Sequence, residues 1–407
     1  MNVTITPNPL RGAITPPPSK SRAHRVIIAA ALSDGVCRLS NVALSQDIQA
    51  TLRCMRTLDA DASADGSVIR GAMLTDGHEE PAPELMDCGE SGSTLRFLIP
   101  VALALRGAGK FTGHGRLMER PQEPYFEIFR EKGISYDCRD GVLRVAGRLT
   151  PGEYALRGDV SSQFVTGLLY ALPLLEGDSL IRLTTPLESR GYVDMTLEAL
   201  EQFGVRAEER EDGYFVPGSQ TYRHRDAAVE ADYSQAAFWY AANGLGGKIA
   251  VQGLNPRSTQ GDRRIVPYYE RLCAPGAVEL DVSQCPDLVP ALAAQAALRA
   301  GEATRIVGAA RLRIKESDRL DTVCTELNRL GAQVVQGPDF LDIRGVEALR
   351  GGAADSHNDH RIAMMLAVAA CRATGPVTVA GAECVAKSYP DFWEDYERLG
   401  GQIRREG

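Results

Sequence analysis

The sequence has no apolar run approaching the roughly 20 residues that cross a bilayer, and its beginning lacks the basic-then-apolar pattern of a secretory signal. A membrane-spanning or secreted chain is therefore not expected; the expected compartment is the cytoplasm. It also lacks any Cys-x-x-Cys pair. Its nine cysteines, at 37, 54, 88, 138, 273, 285, 324, 371 and 384, are odd in number and scattered. This spacing argues against a disulfide framework or a zinc site and leaves most of them as small buried hydrophobes, with Cys285 close enough to Asp287 to lie near a site. Nor is there a surplus of positive charge. The formal net charge of −8 gives no basic footprint for nucleic acid.

What is present is the composition of a globular protein, 44% apolar and 24% charged, and a length of 407 residues that suggests two or three domains. The Lys and Arg residues gather in a few short motifs, a pattern suited to a local positive well for a small anion. Six segments share one plan, a polar start followed by a long apolar helix-like run, and they begin at Ser21, Ser91, Ser161, Asp232, Asp287 and Asp359. Their starts are separated by 70, 70, 71, 55 and 72 residues. A second, more amphipathic helix ending near glycine follows in each, as at 196–204, 325–331 and 393–400, and then a strand-like hairpin. The polar stretch 222–230 divides three units from three. Two similar domains are expected, residues 15–225 and residues 1–14 with 226–407, with the polar helix starts gathered on a cleft between them.

The chain is most sharply punctuated at Pro16-Pro17-Pro18-Ser19-Lys20-Ser21, directly before Val26 to Leu32. Three prolines hold the chain extended, so a helix must begin near Ser19 to Ser21. Lys20, Arg22 and Arg25 then add fixed charge to the positive end of a helix dipole, where free backbone N–H groups already favour an anion. Gly89 to Arg96 is a glycine-bracketed turn into a helix that brings bare N–H groups to an anion. Gly113 to Pro121 carries two arginines whose forks suit phosphate or carboxylate. Ser161-Ser162-Gln163 and Ser189 offer neutral hydrogen-bonding groups. Arg311 to Arg319 packs four cations and two carboxylates into nine residues, with Leu312 and Ile314 interleaved. Asn358-Asp359-His360-Arg361 opens a buried helix with a cation that opposes the dipole unless an anion offsets it. His357 and His360 have the spacing of a metal pair but no third ligand nearby, and no metal is expected.

Taken in order, Pro18-Ser19-Lys20-Ser21 with His24-Arg25, Gly89 to Arg96, Arg116 with Glu119-Arg120-Pro121, Val160 to Phe164, Cys285-Pro286-Asp287, Lys315 to Arg319, Asn358 to Arg361 and Lys387 to Asp391 resemble the 5-enolpyruvylshikimate-3-phosphate synthase family across essentially the whole chain. The resemblance implies an α/β fold of two domains, each of three βαβαββ repeats forming an inside-out α/β barrel, with an N-terminal strand that belongs to the second domain. It implies transfer of enolpyruvyl from phosphoenolpyruvate to the 5-hydroxyl of shikimate 3-phosphate by addition and elimination, with no cofactor and as a monomer. Shikimate 3-phosphate would be held by Lys20, Ser21, Arg25, Ser161, Ser162, Gln163, Ser189, Asp287, Lys315 and Arg311. Phosphoenolpyruvate would meet Lys20, Gly92, Arg116, Gln163, Arg319, Arg361 and Lys387.

Asp287 would act as base on the hydroxyl and Glu316 would carry the proton to the methylene, with Lys20 bridging both substrates. Two positions depart from the family pattern: Glu90 and Arg311 stand where relatives often have Asn. The alternatives are the related transferase that acts on UDP-N-acetylglucosamine, which has a loop cysteine and a Lys-Asn pair absent here, and a non-catalytic anion-binding relative.

Overall fold

A computed structural model describes residues 1–72 and 83–406. Its contacts divide the chain into two compact units, a middle unit, Lys20–Val229, and a terminal unit, Met1–Ser19 with Glu230–Gly407. The divisions lie a few residues beyond the expected positions 15 and 226, for a backbone reason. Pro18 bridges Ala231, the Ser19 N–H donates to the Glu230 carbonyl at 2.7 Å and the Asp232 N–H to the Pro17 carbonyl at 2.9 Å, so the proline stretch stays with the terminal unit. Ala227–Ala228 instead pairs in parallel with Leu39 and Ser40 of the middle unit.

The middle unit holds three repeats. Its helices are α1 (Lys20–Ala31), α2 (Gln46–Arg56), α3 (Gly92–Arg106), α4 (Glu123–Lys132), α5 (Ser162–Ala171) and α6 (Arg190–Gln202). In the second repeat Leu85–Asp87 and Ala108–Thr112 run parallel around α3, and after α4 the hairpin Ser135–Arg139 and Val142–Ala146 closes the sheet antiparallel. The third repeat has the same order, and the first borrows its opening strand from Ala227–Ala228. Helices α1, α3 and α5 are almost wholly buried, whereas α2, α4 and α6 bury one face.

One local conflict shows how α3 is tuned. Pro100 lies inside it and has no N–H to give the Arg96 carbonyl one turn earlier. The Tyr125 hydroxyl donates to that carbonyl instead, at 2.7 Å, and lies 3.1 Å from the Phe164 carbonyl of α5. Gly167 of α5 packs against the same point, where an added Cβ would sit 2.4 Å from the Arg96 carbonyl oxygen. No larger residue fits there.

The terminal unit contains α7 (Tyr233–Gly244), α8 (Ile265–Cys273), α9 (Val289–Ala297), α10 (Arg319–Arg329), α11 (His360–Ala369) and α12 (Phe392–Arg398). Its sixth repeat is completed by the N-terminus: Asn2–Thr6 inserts antiparallel between Val377–Ala380 and Gln402–Glu406. Arg11–Ile14 opens the fourth repeat, parallel to Lys248–Val251. That repeat departs from the expected plan, because its sheet has two strands and no hairpin. The chain goes from α8, ending at Cys273, straight to the next strand at Val278, which accounts for the short interval of 55 residues. On the strand left without a hairpin, the Asn243 amide takes both backbone groups of Ile249, at 2.8 and 2.7 Å. Each unit has its own apolar core.

Candidate active site

In the middle unit the helix starts carry the polar groups. Lys20 is the first residue of α1, and its ammonium donates to Asp47 in the first turn of α2 at 2.7 Å. Asp47 was not singled out from the sequence; Ser45, which caps α2 two residues earlier, was the available signal. Arg25 is buried among neutral oxygens: it donates to the Tyr192 carbonyl at 2.7 Å, the Ser21 carbonyl at 2.7 Å and the Thr196 hydroxyl at 2.9 Å. Burial, opposed in part by nearby Tyr170 and Tyr192, lowers its pKa to about 10. His24 lies between them, bonded through Nδ1 to the Thr51 hydroxyl at 2.8 Å. Burial, with Lys20 and Arg25 adding repulsion, holds its pKa well below 6.5.

The turn into α3 and the start of α5 meet in one polar cluster. Ser91 caps α3 by accepting from the Thr94 N–H, and Ser161 caps α5 by accepting from the Gln163 N–H. Gln163 accepts from Arg96 at 2.8 Å and donates to Ser93 at 3.0 Å. Ser162 is buried beside it, and Ser189 is buried in a left-handed conformation at the start of α6.

The two arginines of the loop 113–121 differ in setting. Arg116 is 48% exposed, with its Nε 3.7 Å from the Glu119 carboxylate. Arg120, four residues on, is buried with its guanidinium beside Gly92, where an added Cβ would sit 2.8 Å from Nη1. Its Nε is buried and unpartnered. The two arginines bracket a single turn of 3-10 helix, Leu117–Glu119, and Leu117 is the residue that turns inward. Spacing alone gave no way to choose between them. The Glu90 carboxylate reaches the same loop and lies at Gly115, 2.6 Å from where a Cβ would stand.

The terminal unit gathers its charges differently. Asp287 sits in a 3-10 turn leading into α9, and three cations converge on its carboxylate: Lys315 at 3.2 Å, Arg319 at 2.9 Å and Arg361 at 3.1 Å. Arg319, the first residue of α10 and 1% exposed, also donates to Glu316 at 2.6 Å and, through Nε, to Asp359 at 2.7 Å. Burial alone would lower the pKa of this guanidinium, but Asp359, Glu316 and Asp287 outweigh it and raise it above its ordinary value. Asp359 caps α11 by accepting the Arg361 N–H at 3.0 Å and also accepts from the Ser317 hydroxyl at 3.0 Å. The sequence marked Asp359 only as a helix start.

Lys387 donates to the Asn358 carbonyl at 2.7 Å. Arg311 donates to the Ser283 carbonyl. Cys285 is buried, and burial raises its thiol pKa. Among the described residues no group of His, Cys, Asp and Glu could hold a metal ion.

Two α/β units of repeated sheets, each presenting cation-rich helix starts, define an anion-handling protein of internally duplicated architecture. A family profile described as EPSP synthase (3-phosphoshikimate 1-carboxyvinyltransferase) matches residues 5–396. Among relatives, 3-phosphoshikimate 1-carboxyvinyltransferase of Clostridium kluyveri is 46% identical over 98% of both chains, and that of Clostridium perfringens 45% over 99% of both. A solved EPSP synthase from Acinetobacter baumannii is 25% identical, with a TM-score of 0.79 over 99% of this chain and 100% of that one. The chain belongs to the EPSP synthase family.

Proposed function

We propose that this chain transfers the enolpyruvyl group of phosphoenolpyruvate to the 5-hydroxyl of shikimate 3-phosphate and releases phosphate, a step of aromatic amino acid biosynthesis. Family membership carries the reaction. One observation carries the assignment of its proton chemistry: Asp287 and Glu316 are bound to the same buried guanidinium, Arg319, with Lys315 and Arg361 beside them.

The oxygen of the 5-hydroxyl attacks C2 of phosphoenolpyruvate while Asp287 takes the hydroxyl proton, and Glu316 gives a proton to C3, turning the methylene into a methyl. A tetrahedral ketal phosphate results. The bond from C2 to the phosphate oxygen then breaks, the proton held by Asp287 goes to the departing phosphate, a methyl proton returns to Glu316, and the vinyl group reforms on the acceptor. Atoms balance between the two substrates and the chain's own groups, so the step needs no further reactant. Two carboxyl groups in different local fields suit this division of labour.

For binding, the carboxylate of phosphoenolpyruvate replaces Asp287 as the partner of Arg319 and Arg361, which frees Asp287 as a base. Its phosphate is taken by Lys20, the Gly92 N–H, Gln163, Lys387 and Arg120. Arg120 replaces Arg116 in this role because it is the arginine buried beside Gly92. Shikimate 3-phosphate is held by Ser161, Ser162, Gln163, Ser189, Ser21 and Lys315, with Arg25 supplying fixed charge behind Ser21 and Arg311 at the margin.

The enzyme works as a cytoplasmic monomer with no nucleic-acid or membrane partner; among the described residues no helix is long and apolar enough to cross a membrane. The test is phosphate release from phosphoenolpyruvate with shikimate 3-phosphate, and separately UDP-N-acetylglucosamine, as acceptor. Release with the first alone is expected. Release with the second alone would move the chain to the amino-sugar transferases, and binding without release would make it an anion-binding relative.

A further inference from the structure

One buried carboxylate near this site has no part in the transfer. Glu326 lies on α10, seven residues after Arg319, and is 0% exposed. Its two oxygens are divided between neighbouring backbone and side-chain groups: Oε2 accepts the Asp355 N–H at 2.9 Å, and Oε1 meets His357 Nε2 at 2.9 Å and Arg329 Nη2 at 3.3 Å. His357 and Asn358 are two consecutive non-glycine residues with left-handed backbones, at φ 51° and 54°. Side chains other than glycine adopt that region reluctantly, and a pair in succession persists only where the surroundings impose it.

The surroundings here are specific. The His357 N–H donates to Asp355 at 2.7 Å, and Ser356 is tied to the Ala380 carbonyl by its N–H at 3.0 Å and to the Gly381 carbonyl by its hydroxyl at 3.0 Å. The turn in turn delivers two groups to the site. The Asn358 carbonyl receives the Lys387 ammonium at 2.7 Å, and the next residue, Asp359, holds Arg319 and caps the helix that carries Arg361. All three side-chain cations of the terminal unit assigned to phosphoenolpyruvate thus depend on this turn.

Resting on the function proposed above, we infer that Glu326 and His357 are positioning residues for phosphoenolpyruvate: their pairing keeps 357–358 left-handed and so sets the Asn358 carbonyl and the Asp359 carboxylate that aim Lys387, Arg319 and Arg361. Neither residue touches the reacting atoms. Displacement of an aimed group by about 1 Å can cost up to about 10²-fold. The effect falls on the substrate those cations hold.

The experiment measures KM for each substrate, kcat and thermal midpoint in the unchanged protein, His357→Ala, Glu326→Gln and His357→Gly. Both His357→Ala and Glu326→Gln are expected to raise KM for phosphoenolpyruvate about tenfold or more, with KM for shikimate 3-phosphate changed less than about twofold. His357→Gly loses the same imidazole but adopts the left-handed backbone without strain. It is expected to recover most of the lost affinity.

If His357→Ala leaves KM for phosphoenolpyruvate unmoved, or raises both KM values equally, the inference is overturned. It is also overturned if His357→Gly is as impaired as His357→Ala, since the imidazole would then act directly. Absence of turnover in the unchanged protein would instead overturn the functional reading, and this inference with it.

Discussion

The two units hold their cations in opposite ways. In the middle unit Arg25 rests on carbonyl and hydroxyl oxygens, Arg120 has an unpartnered buried Nε, and Lys20 is paired with the carboxylate of Asp47. In the terminal unit Arg319 alone spans Asp287, Glu316 and Asp359, and Lys315 and Arg361 lean on the same Asp287. In the proposed binding, Arg25 and Arg120 of the middle unit thus meet phosphate groups with charge that no carboxylate contact among the described ion pairs offsets. The site cations of the terminal unit are paired with the chain's own carboxylates, and in the proposed binding an incoming carboxylate displaces one of these. That displacement connects binding to catalysis, because the group set free is the proposed base.

The sharpest way to break this contrast is to neutralise the carboxylates. Asp287→Asn and Glu316→Gln should each lower kcat by about 10²–10⁴-fold, the range for loss of a general acid or base. Steady-state phosphate release reads this, and near-native turnover in both would remove the assignment.

Stability should follow the same divide. Arg319→Met removes the cation shared by three carboxylates and should cost about 3–5 kcal/mol, as when one partner of a buried ion pair is removed. Arg25→Met strands neutral oxygens and should cost about 1–3 kcal/mol. Denaturant unfolding compares them; equal losses would contradict the distinction.

Within the middle unit, Arg120→Gln should raise KM for phosphoenolpyruvate by about 10- to 10²-fold, the worth of a charged hydrogen bond, while Arg116→Gln should change it little. The reverse ranking would restore Arg116 to the site. Tyr125→Phe should destabilise by about 1–3 kcal/mol by orphaning the Arg96 carbonyl. Adding Pro100→Ala, which returns an N–H to that carbonyl, should recover part of the loss, and no recovery in thermal unfolding would refute the compensation.

The smallest effect is a pH dependence. His24 has a folded-state pKa below its unfolded value of about 6.5, so the unfolded chain binds the proton first and stability is lost as pH falls below that value. The slope should approach but not exceed about 1.4 kcal/mol per pH unit. The stability difference between the unchanged protein and His24→Asn should therefore shrink from pH 7.5 to pH 5.5, and a constant difference would refute it.

Local chemistry carried much of this into the sequence. The polar starts of α3, α5, α7 and α11 are capped by Ser91, Ser161, Asp232 and Asp359, residues whose oxygens satisfy free N–H groups wherever they occur, so the repeat spacing could be seen. The 55-residue interval reflects the missing hairpin, which no single residue in it announces. Pairings between distant residues were less visible. Val3 lies opposite Val379, and no neighbour of either announces it. Asp47 and Glu326 were not legible for a related reason: each is an unremarkable charge in its own helix and gains meaning only from Lys20 or His357.

The most direct measurement of the claim that Glu316 protonates the vinyl carbon is the reaction run in deuterium oxide with the product examined by mass spectrometry and proton NMR. Passage through a methyl group that takes its third hydrogen from the exchanged carboxyl leaves deuterium in the vinyl position of the product, and Glu316→Gln should suppress it. A product formed at full conversion with an undeuterated vinyl group would contradict the addition step and the role given to Glu316.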